Sequence, residues 1–299
     1  DTFNVNGSLT VELTGQAGDD VFAITDGATL TGSINGGDDN DAFNLGNGAM
    51  VTGNVDGEAG ADSLSFAPST AAVNVTLSGP GLDGFDGTVA NIGGGFDAVN
   101  SVVGSGVAGD VLNGLDTDSN WALGATSTYT DTVSTNAIDF SAFETLNGGS
   151  MVDAFSVAGS QTVSLIGNDG DDTFTLNSDD ARLTGSVDGG AGSNTLSFTG
   201  LTTVDADVSL TGNAADGFAG SAGSLITGGF SDIFTLNGGS GTTDTLTGQD
   251  VFSTWLVDPV NTYEDDSTTR ILTFDLFENL TGGAEGDTFT VRAALVGNI

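Results

Sequence analysis

Short runs of alternating apolar and polar residues recur along the chain. In Asp62-Ser-Leu64-Ser-Phe66 and Asp172-Thr-Phe174-Thr-Leu176 every second side chain is apolar. Alternation with a period of two predicts a β-strand that buries one face. No window shows a sustained helical period, so the pattern predicts an all-β protein.

The residue that leads each run recurs every 19 to 22 positions, at Phe3, Phe22, Phe43 and Leu64 and again at Phe155, Phe174 and Leu196. A second short strand follows in each interval, as in Leu30–Ile34 and Leu183–Val187, and glycine-rich turns close it. Repeats of this length predict a single parallel β-solenoid, resembling a β-helix or β-roll, of about fourteen coils of roughly 19–22 residues. The leading phenylalanines, together with Phe289, are then expected to stack inside it.

A longer repeat is superimposed on the short one. Trp121 and Trp255, with similar flanking sequences, lie 134 positions apart, as do Tyr129 and Tyr263. We expect both tryptophans to pack in the core or at a coil edge. The repeat divides the predicted continuous solenoid, residues 1–299, into a leading coil at 1–23, long repeats at 24–157 and 158–291, and the start of a further coil at 292–299.

Charge restricts the partners. The chain has 41 acidic residues, three arginines and no lysine, and its net charge is −38. Nucleic acids and anionic membranes need a basic surface, so neither is an expected partner. No apolar run is long enough to insert into a membrane. Because the sequence begins at Asp1 without a methionine or a signal peptide, we expect a mature secreted piece or a segment of a longer polypeptide.

Stacked coils also pose an electrostatic problem. Acidic residues at one corner of successive coils would lie about 4.8 Å apart and repel one another. Three arginines cannot neutralise them, and without cysteine there are no thiolate metal sites. Hard cations with oxygen ligands are the remaining way to offset this repulsion.

Turns of the form Gly-x-x-Gly-x-Asp-x-apolar carry suitable ligands, as in Gly57–Leu64 and Gly167–Phe174. The pattern resembles the glycine-rich nonapeptide of RTX proteins, which binds Ca²⁺ between stacked turns. The resemblance implies Ca²⁺ ligands at Asp20, Asp41, Asp62, Asp172 and Asp287. This chain has one motif per coil rather than consecutive nonapeptides, and Asn194 stands where aspartate is expected. The alternative is that the aspartates only cap turns and keep edges soluble.

The pattern around each tryptophan, which ends in Phe-Glu-x-Leu-x-Gly-Gly-x-x-x-Asp-x-Phe, resembles modules of large bacterial surface proteins, including adhesins and filamentous-haemagglutinin-like chains. The resemblance covers most of 96–157 and 230–291. It implies a non-enzymatic extracellular structural protein: a subunit or segment of a bacterial surface filament or adhesin shaft, rigidified by Ca²⁺ if the motif binds it.

Two alternatives stay open. One is a calcium-responsive module that binds carbohydrate or protein through irregular insertions at Gly79–Gly84 and Asn261–Asp266. The other is a β-helical polysaccharide-degrading enzyme. Without histidine or cysteine the chain cannot build a Ser-His or Cys-His nucleophile, and among 41 acidic residues a carboxylate pair carries little information. We therefore expect no enzyme activity.

A partner is suggested by the repeated coil start. Asp287-Thr-Phe289-Thr-Val291 has almost the same sequence as Asp1-Thr-Phe3-Asn-Val5. An uncapped solenoid leaves strand edges unpaired. We therefore expect self-association head to tail, or a covalent continuation in a longer chain.

Overall fold

The computed structural model describes residues 1–241, 243–268, 270–293 and 297–299. The described residues form 36 β-strands and no helix, so no helix among them is long and apolar enough to cross a membrane. By its contacts the chain divides into two compact units. The first comprises 1–120 and 126–148, and the second comprises 121–125 and 149–299.

The strands that lie wholly in the first unit are β1 (Thr2–Val5), β2 (Ser8–Thr10), β3 (Leu13–Ala17), β4 (Val21–Ile24), β5 (Thr29–Thr31), β6 (Ile34–Asp38), β7 (Ala42–Leu45), β8 (Met50–Val51), β9 (Val55–Ala59), β10 (Ser63–Ser65), β11 (Asn74–Pro80), β12 (Phe85–Val89), β13 (Ile92–Val99), β14 (Ser101–Val103), β15 (Val111–Asn113), β17 (Ser127–Asp131), β18 (Ala137–Ser141) and β19 (Thr145–Asn147). Strand β16 (Ser119–Leu123) spans the boundary between the units.

Parallel pairing dominates the first unit. Strands β1, β4, β7, β10, β14 and β18 lie side by side in that order, and each pair is parallel. On the other face of each coil β2 pairs with β5, β3 with β6, and β6 with β9, again in parallel. The chain leaves this pattern at β11, β12 and β13, which pair antiparallel in sequence order.

The strands of the second unit are β20 (Asp153–Val157), β21 (Ser160–Gln161), β22 (Ser164–Ile166), β23 (Thr173–Leu176), β24 (Arg182–Leu183), β25 (Val187–Asp188), β26 (Thr195–Ser197), β27 (Asp207–Asn213), β28 (Phe218–Ala222), β29 (Ile226–Ile233), β30 (Thr235–Asn237), β31 (Thr245–Thr247), β32 (Ser253–Val257), β33 (Asn261–Asp265), β34 (Ile271–Asp275), β35 (Asn279–Thr281) and β36 (Asp287–Val291).

The second unit repeats the organisation of the first. Strands β20, β23, β26, β30 and β34 pair in parallel in that order. Strands β27, β28 and β29 form an antiparallel excursion like that of β11 to β13. The parallel all-β prediction is thereby confirmed.

Two details differ from the sequence-based expectation. The pairings Leu64↔Val102 and Leu196↔Leu236 join residues 38 and 40 positions apart, because an antiparallel excursion lies between them. The predicted 19–22-residue interval therefore does not hold for every coil. The prediction that Asn261–Asp266 is an irregular insertion is also wrong, since Asn261–Asp265 is strand β33 and the Tyr263 side chain is completely buried.

The core contains the predicted column of aromatic rings. Phe22 and Phe43 stack with ring centroids 5.3 Å apart in the first unit, and Phe155 and Phe174 do so at 5.0 Å in the second. All four rings are buried, as predicted. Trp121 and Trp255 are buried too, which confirms their packing role. Phe3 and Phe289 are only partly buried, because β1 and β36 each have a parallel neighbour on one side among the described strands.

Candidate functional site: the buried aspartates

Each glycine-aspartate turn places its aspartate immediately before a strand of the aromatic column or, at Asp287, as the first residue of that strand. The first motif glycine has to be glycine because a methyl group on Gly15 would lie 2.1 Å from Oδ2 of Asp20. The fourth position, such as Gly18, has a φ of +97°, in the left-handed region that favours glycine. The sequence pattern therefore encodes a tight turn that folds back over its own aspartate.

In the first unit these aspartates form a ladder along successive coils. The backbone N–H of Asp20 donates to Oδ1 of Asp41 at 2.8 Å, and that of Asp41 donates to Oδ1 of Asp62 at 2.7 Å. The N–H of Asp62 donates to Oδ1 of Asn100 at 2.9 Å, which ends the ladder on an amide. The Asp20 carboxylate forms an ion pair with the amino group of Asp1. All three aspartates are at most 1% exposed.

The second unit contains an equivalent ladder. The N–H of Asp153 donates to Oδ1 of Asp172 at 2.8 Å, and the N–H of Asp172 donates to Oδ1 of Asn194 at 2.9 Å. All three side chains are completely buried. The sequence motif does not identify Asp153, because its turn lacks the second motif glycine. The register of its strand against β23 nevertheless brings it into the ladder.

The second carboxylate oxygen is the unusual feature of both ladders. Oδ2 of Asp172 is buried and has no hydrogen-bond partner among the described residues. It lies under Gly167, where a methyl group would be 2.1 Å from this oxygen and 2.5 Å from the Gly189 carbonyl of the next coil. Asp20, Asp41 and Asp62 share the same feature at Oδ2.

Asn194 shows what that position requires. Its Nδ2 occupies the place of the aspartate Oδ2 beneath Gly189 and donates to the Asp232 carbonyl of the next coil at 3.1 Å. A carboxylate cannot donate this hydrogen bond unless it carries a proton. At Asp172 an ionised Oδ2 is therefore buried near a backbone acceptor instead of a donor. Asp153 differs, because its Oδ2 accepts the N–H of Gly149 at 2.7 Å.

The pKa values follow from this burial. Desolvation raises the pKa of Asp62 to about 6 and that of Asp172 to about 7. The same cause raises the pKa of Asp41. The N–H that each Oδ1 accepts opposes the shift but does not cancel it, and neighbouring carboxylates add to it.

A further pair of buried aspartates lies at the turns that precede β15 and β31. In the first unit Oδ1 of Asp110 accepts the N–H of Val73 at 2.7 Å, and Ser105 donates both its N–H and its hydroxyl to this carboxylate. Both oxygens of Asp110 are therefore hydrogen-bonded, and the buried charge is well solvated by the protein.

The equivalent residue of the second unit, 134 positions later, is Asp244. Its Oδ1 accepts the N–H of Ala206 at 2.5 Å, but Gly239 stands where the first unit has Ser105 and supplies no hydroxyl. Oδ2 of Asp244 is buried and accepts no side-chain hydrogen bond among the described residues. Burial raises the pKa of this group, and the backbone N–H groups of Ala206 and Gly239 offset only part of that rise. Asp110 and Asp244 are equivalent in the repeat at 134 positions, and that signal could have singled them out.

The sequence predicts calcium ligands at five aspartates. The structure brings Asp20, Asp41 and Asp62 into one ladder, places Asp172 in the other, and leaves Asp287 partly buried with Ser253 donating to its carboxylate. Three or more histidine, cysteine, aspartate or glutamate side chains do not converge into a metal-holding group anywhere in the described part of the chain. Calcium binding stays a prediction.

Comparison with known proteins adds no assignment. The chain matches no protein-family model and no curated protein.

Proposed function

We propose that this chain is a non-enzymatic structural protein, a β-solenoid segment of an extracellular filament or adhesin shaft of a bacterial surface. The observation that carries the proposal is that its aromatic and carboxylate side chains are used in stacking one coil on the next. Aromatic rings form the core column, and the buried carboxylates accept N–H groups from neighbouring coils. These residue types would otherwise be candidates for ligand binding or catalysis.

The proposal includes continuation beyond β36 by another coil of the same pattern, from a second copy or from a longer chain. Strand β20 supports this continuation. It has nearly the sequence of β36 and pairs in parallel with β23, with Phe155 stacked on Phe174. Strand β36 pairs with β32 on one side and stacks Phe289 on Trp255 at 5.2 Å. A coil that begins like β1 would extend the same column.

Electron microscopy and sedimentation velocity of the purified chain over a range of concentrations test the assembly. We expect particles whose length grows with concentration, because a head-to-tail contact does not close on itself. Replacing Phe289 by Lys places a charge in the stacking column and is expected to shorten them, whereas Val133→Lys, at a site 79% exposed, is the matched control. If the chain stays monomeric at every concentration, self-assembly is contradicted. The proposal would then require that the next coil belongs to the same, longer polypeptide.

Antibody labelling of intact source cells tests the location. Surface labelling without permeabilisation is expected for an extracellular filament or shaft. Labelling that requires permeabilisation would contradict the proposal, whatever the assembly state.

A further inference from the structure

One surface of the second unit has no counterpart in the first long repeat, residues 24–157. Phe252, in the turn before β32, is 59% exposed and is the only aromatic residue among the exposed large hydrophobic side chains of the described residues. Phe252 and Val251 are the apolar lining of a concavity of about 360 Å³, here called its floor. Asp250, Asp266 and Glu285, together with Ser267, are its polar lining, here called its rim.

Three turns build this concavity because three strands end at the same edge. Strand β32 pairs antiparallel with β33 and parallel with β36, with Ser253 opposite both Asp265 and Asp287. The turns before β32, after β33 and before β36 therefore meet. The N–H of Asp266 donates to the Phe252 carbonyl at 3.0 Å, and the N–H of Ala284 donates to Oδ1 of Asp250 at 2.8 Å.

Sequence differences between the long repeats show that stacking does not require these residues. The positions of Phe252, Asp266 and Glu285 are occupied 134 residues earlier by Asp118, Thr132 and Met151. Gly286 replaces Val152, and a methyl group on Gly286 would lie 3.2 Å from Cε1 of Phe252. The ring therefore comes with a glycine that makes room for it.

We propose that the Phe252 concavity binds a small organic ammonium ion. The face of an aromatic ring attracts a cation, and alkyl groups on the nitrogen contact the apolar floor. Three rim carboxylates supply opposite charge without forming a compact metal-holding group. A quaternary ammonium, which has both charge and apolar surface, matches this combination better than an inorganic cation does.

The chain's own cations do not fill the site. Arg182 donates to the Asp179 and Ala181 carbonyls, and Arg270 donates to carbonyls of 214, 215 and 217. Arg292 pairs with Asp258 at 3.6 Å. The chain contains no lysine. The ammonium group has to come from another molecule.

Titration of the whole protein with choline, followed by the NMR signals of the Phe252 ring, tests the proposal. The neutral isostere 3,3-dimethyl-1-butanol is the matched ligand because it differs from choline only in its charge. We expect choline to bind about tenfold more tightly than the alcohol. Equal affinities for choline and the alcohol would show that only apolar contacts hold the ligand, and would overturn the proposal.

Two variants separate the ring from the carboxylates. Phe252→Leu keeps an apolar side chain beside Gly286 but removes the aromatic face, and Glu285→Gln removes one rim charge without altering the floor. Each variant is expected to weaken choline binding by about threefold or more. For both variants, binding is measured by saturation transfer to the choline methyl protons. If both variants bind choline like the parent protein, or if equimolar sodium displaces it, the assignment is wrong.

Discussion

Two columns of side chains run through the same coils and respond to stacking in opposite ways. Phe155 and Phe174 stack with nearly parallel rings, at an interplanar angle of 7°. Asp153, the first residue of β20, and Asp172, which directly precedes β23, are equally buried. Close repetition favours apolar rings, because each covers the next. The same repetition penalises carboxylates, because burial removes water and brings like charges together.

The aspartate ladder offsets only part of that cost. Each N–H donated to Oδ1 links one coil to its neighbour, but no donor in the described part of the chain reaches Oδ2 of Asp172. Asn194, one coil further on, uses an amide to complete the same arrangement. The comparison indicates that the position of Asp172 is best satisfied when Oδ2 carries a hydrogen through protonation, or when an amide replaces the carboxylate.

The largest expected effect comes from breaking the aromatic column. The Phe174 ring has no exposed surface. Replacing Phe174 by Ala removes this ring and leaves a cavity in the core, which should lower the free energy of unfolding by about 3–5 kcal/mol. Urea denaturation followed by circular dichroism measures the loss. Val133→Ala, at a side chain 79% exposed, is the control and should change little. Substitutions at the surface usually change the free energy of unfolding by about 0.5 kcal/mol or less. A loss below about 1 kcal/mol for Phe174→Ala would therefore contradict a stabilising role of the aromatic column.

The aspartate ladder should make the protein more stable in mild acid. The folded-state pKa values of Asp62, about 6, and Asp172, about 7, lie above the ordinary value of 3.8. Between roughly pH 4 and pH 7 the folded protein therefore holds more protons than the unfolded chain, so stability falls as the pH rises through this window. Hydrogen bonds lower the pKa values of Asp131 and Asp265. These two groups therefore reduce stability as the pH falls, but only below about pH 4.

Melting temperatures at pH 4.5 and pH 8 measure this dependence, and Asp172→Asn attributes it. The variant copies Asn194, so it should raise the melting temperature at pH 8 and reduce the difference between the two pH values. Asp180→Asn, at an exposed carboxylate, is the matched control for removal of one negative charge. Equal gains from both variants would show that net charge, rather than the ladder, sets the pH dependence.

Calcium is expected to have a smaller effect. If the turns bind Ca²⁺ as the RTX resemblance implies, a concentration ten times the dissociation constant adds about 1.4 kcal/mol to stability. The melting temperature in millimolar CaCl₂ and in EDTA, at matched ionic strength, measures it at pH 8. No difference between the two would support the alternative in which the aspartates serve only the turns.

The sequence predicted the periodic parts of this molecule well and its polar interior poorly. Alternation and spacing identified the strands and the burial of Phe22 and Phe174, because apolar burial depends on a repeating position. The antiparallel excursions were missed because β11 to β13 alternate like other strands, and pairing direction leaves no mark on that pattern. The hydrogen bonds of Asp172 were also missed, since they depend on which coil supplies the donor.

The smallest expected effect tests the difference between Asp110 and Asp244. Gly239→Ser restores the hydroxyl that Ser105 provides in the first unit, and one added hydrogen bond to a buried acceptor should increase stability by about 0.5–1.5 kcal/mol. The new Cβ would lie 3.1 Å from Oδ2 of Asp244 and 3.2 Å from the Leu201 carbonyl, so the turn has to shift slightly. Ser105→Gly, the reverse change, should lower stability because it removes the hydroxyl donor of Asp110. Both are measured by urea denaturation at pH 8, where an ionised carboxylate has most to gain from a donor. If Ser105→Gly has no effect, then hydroxyl donation does not distinguish the two aspartates.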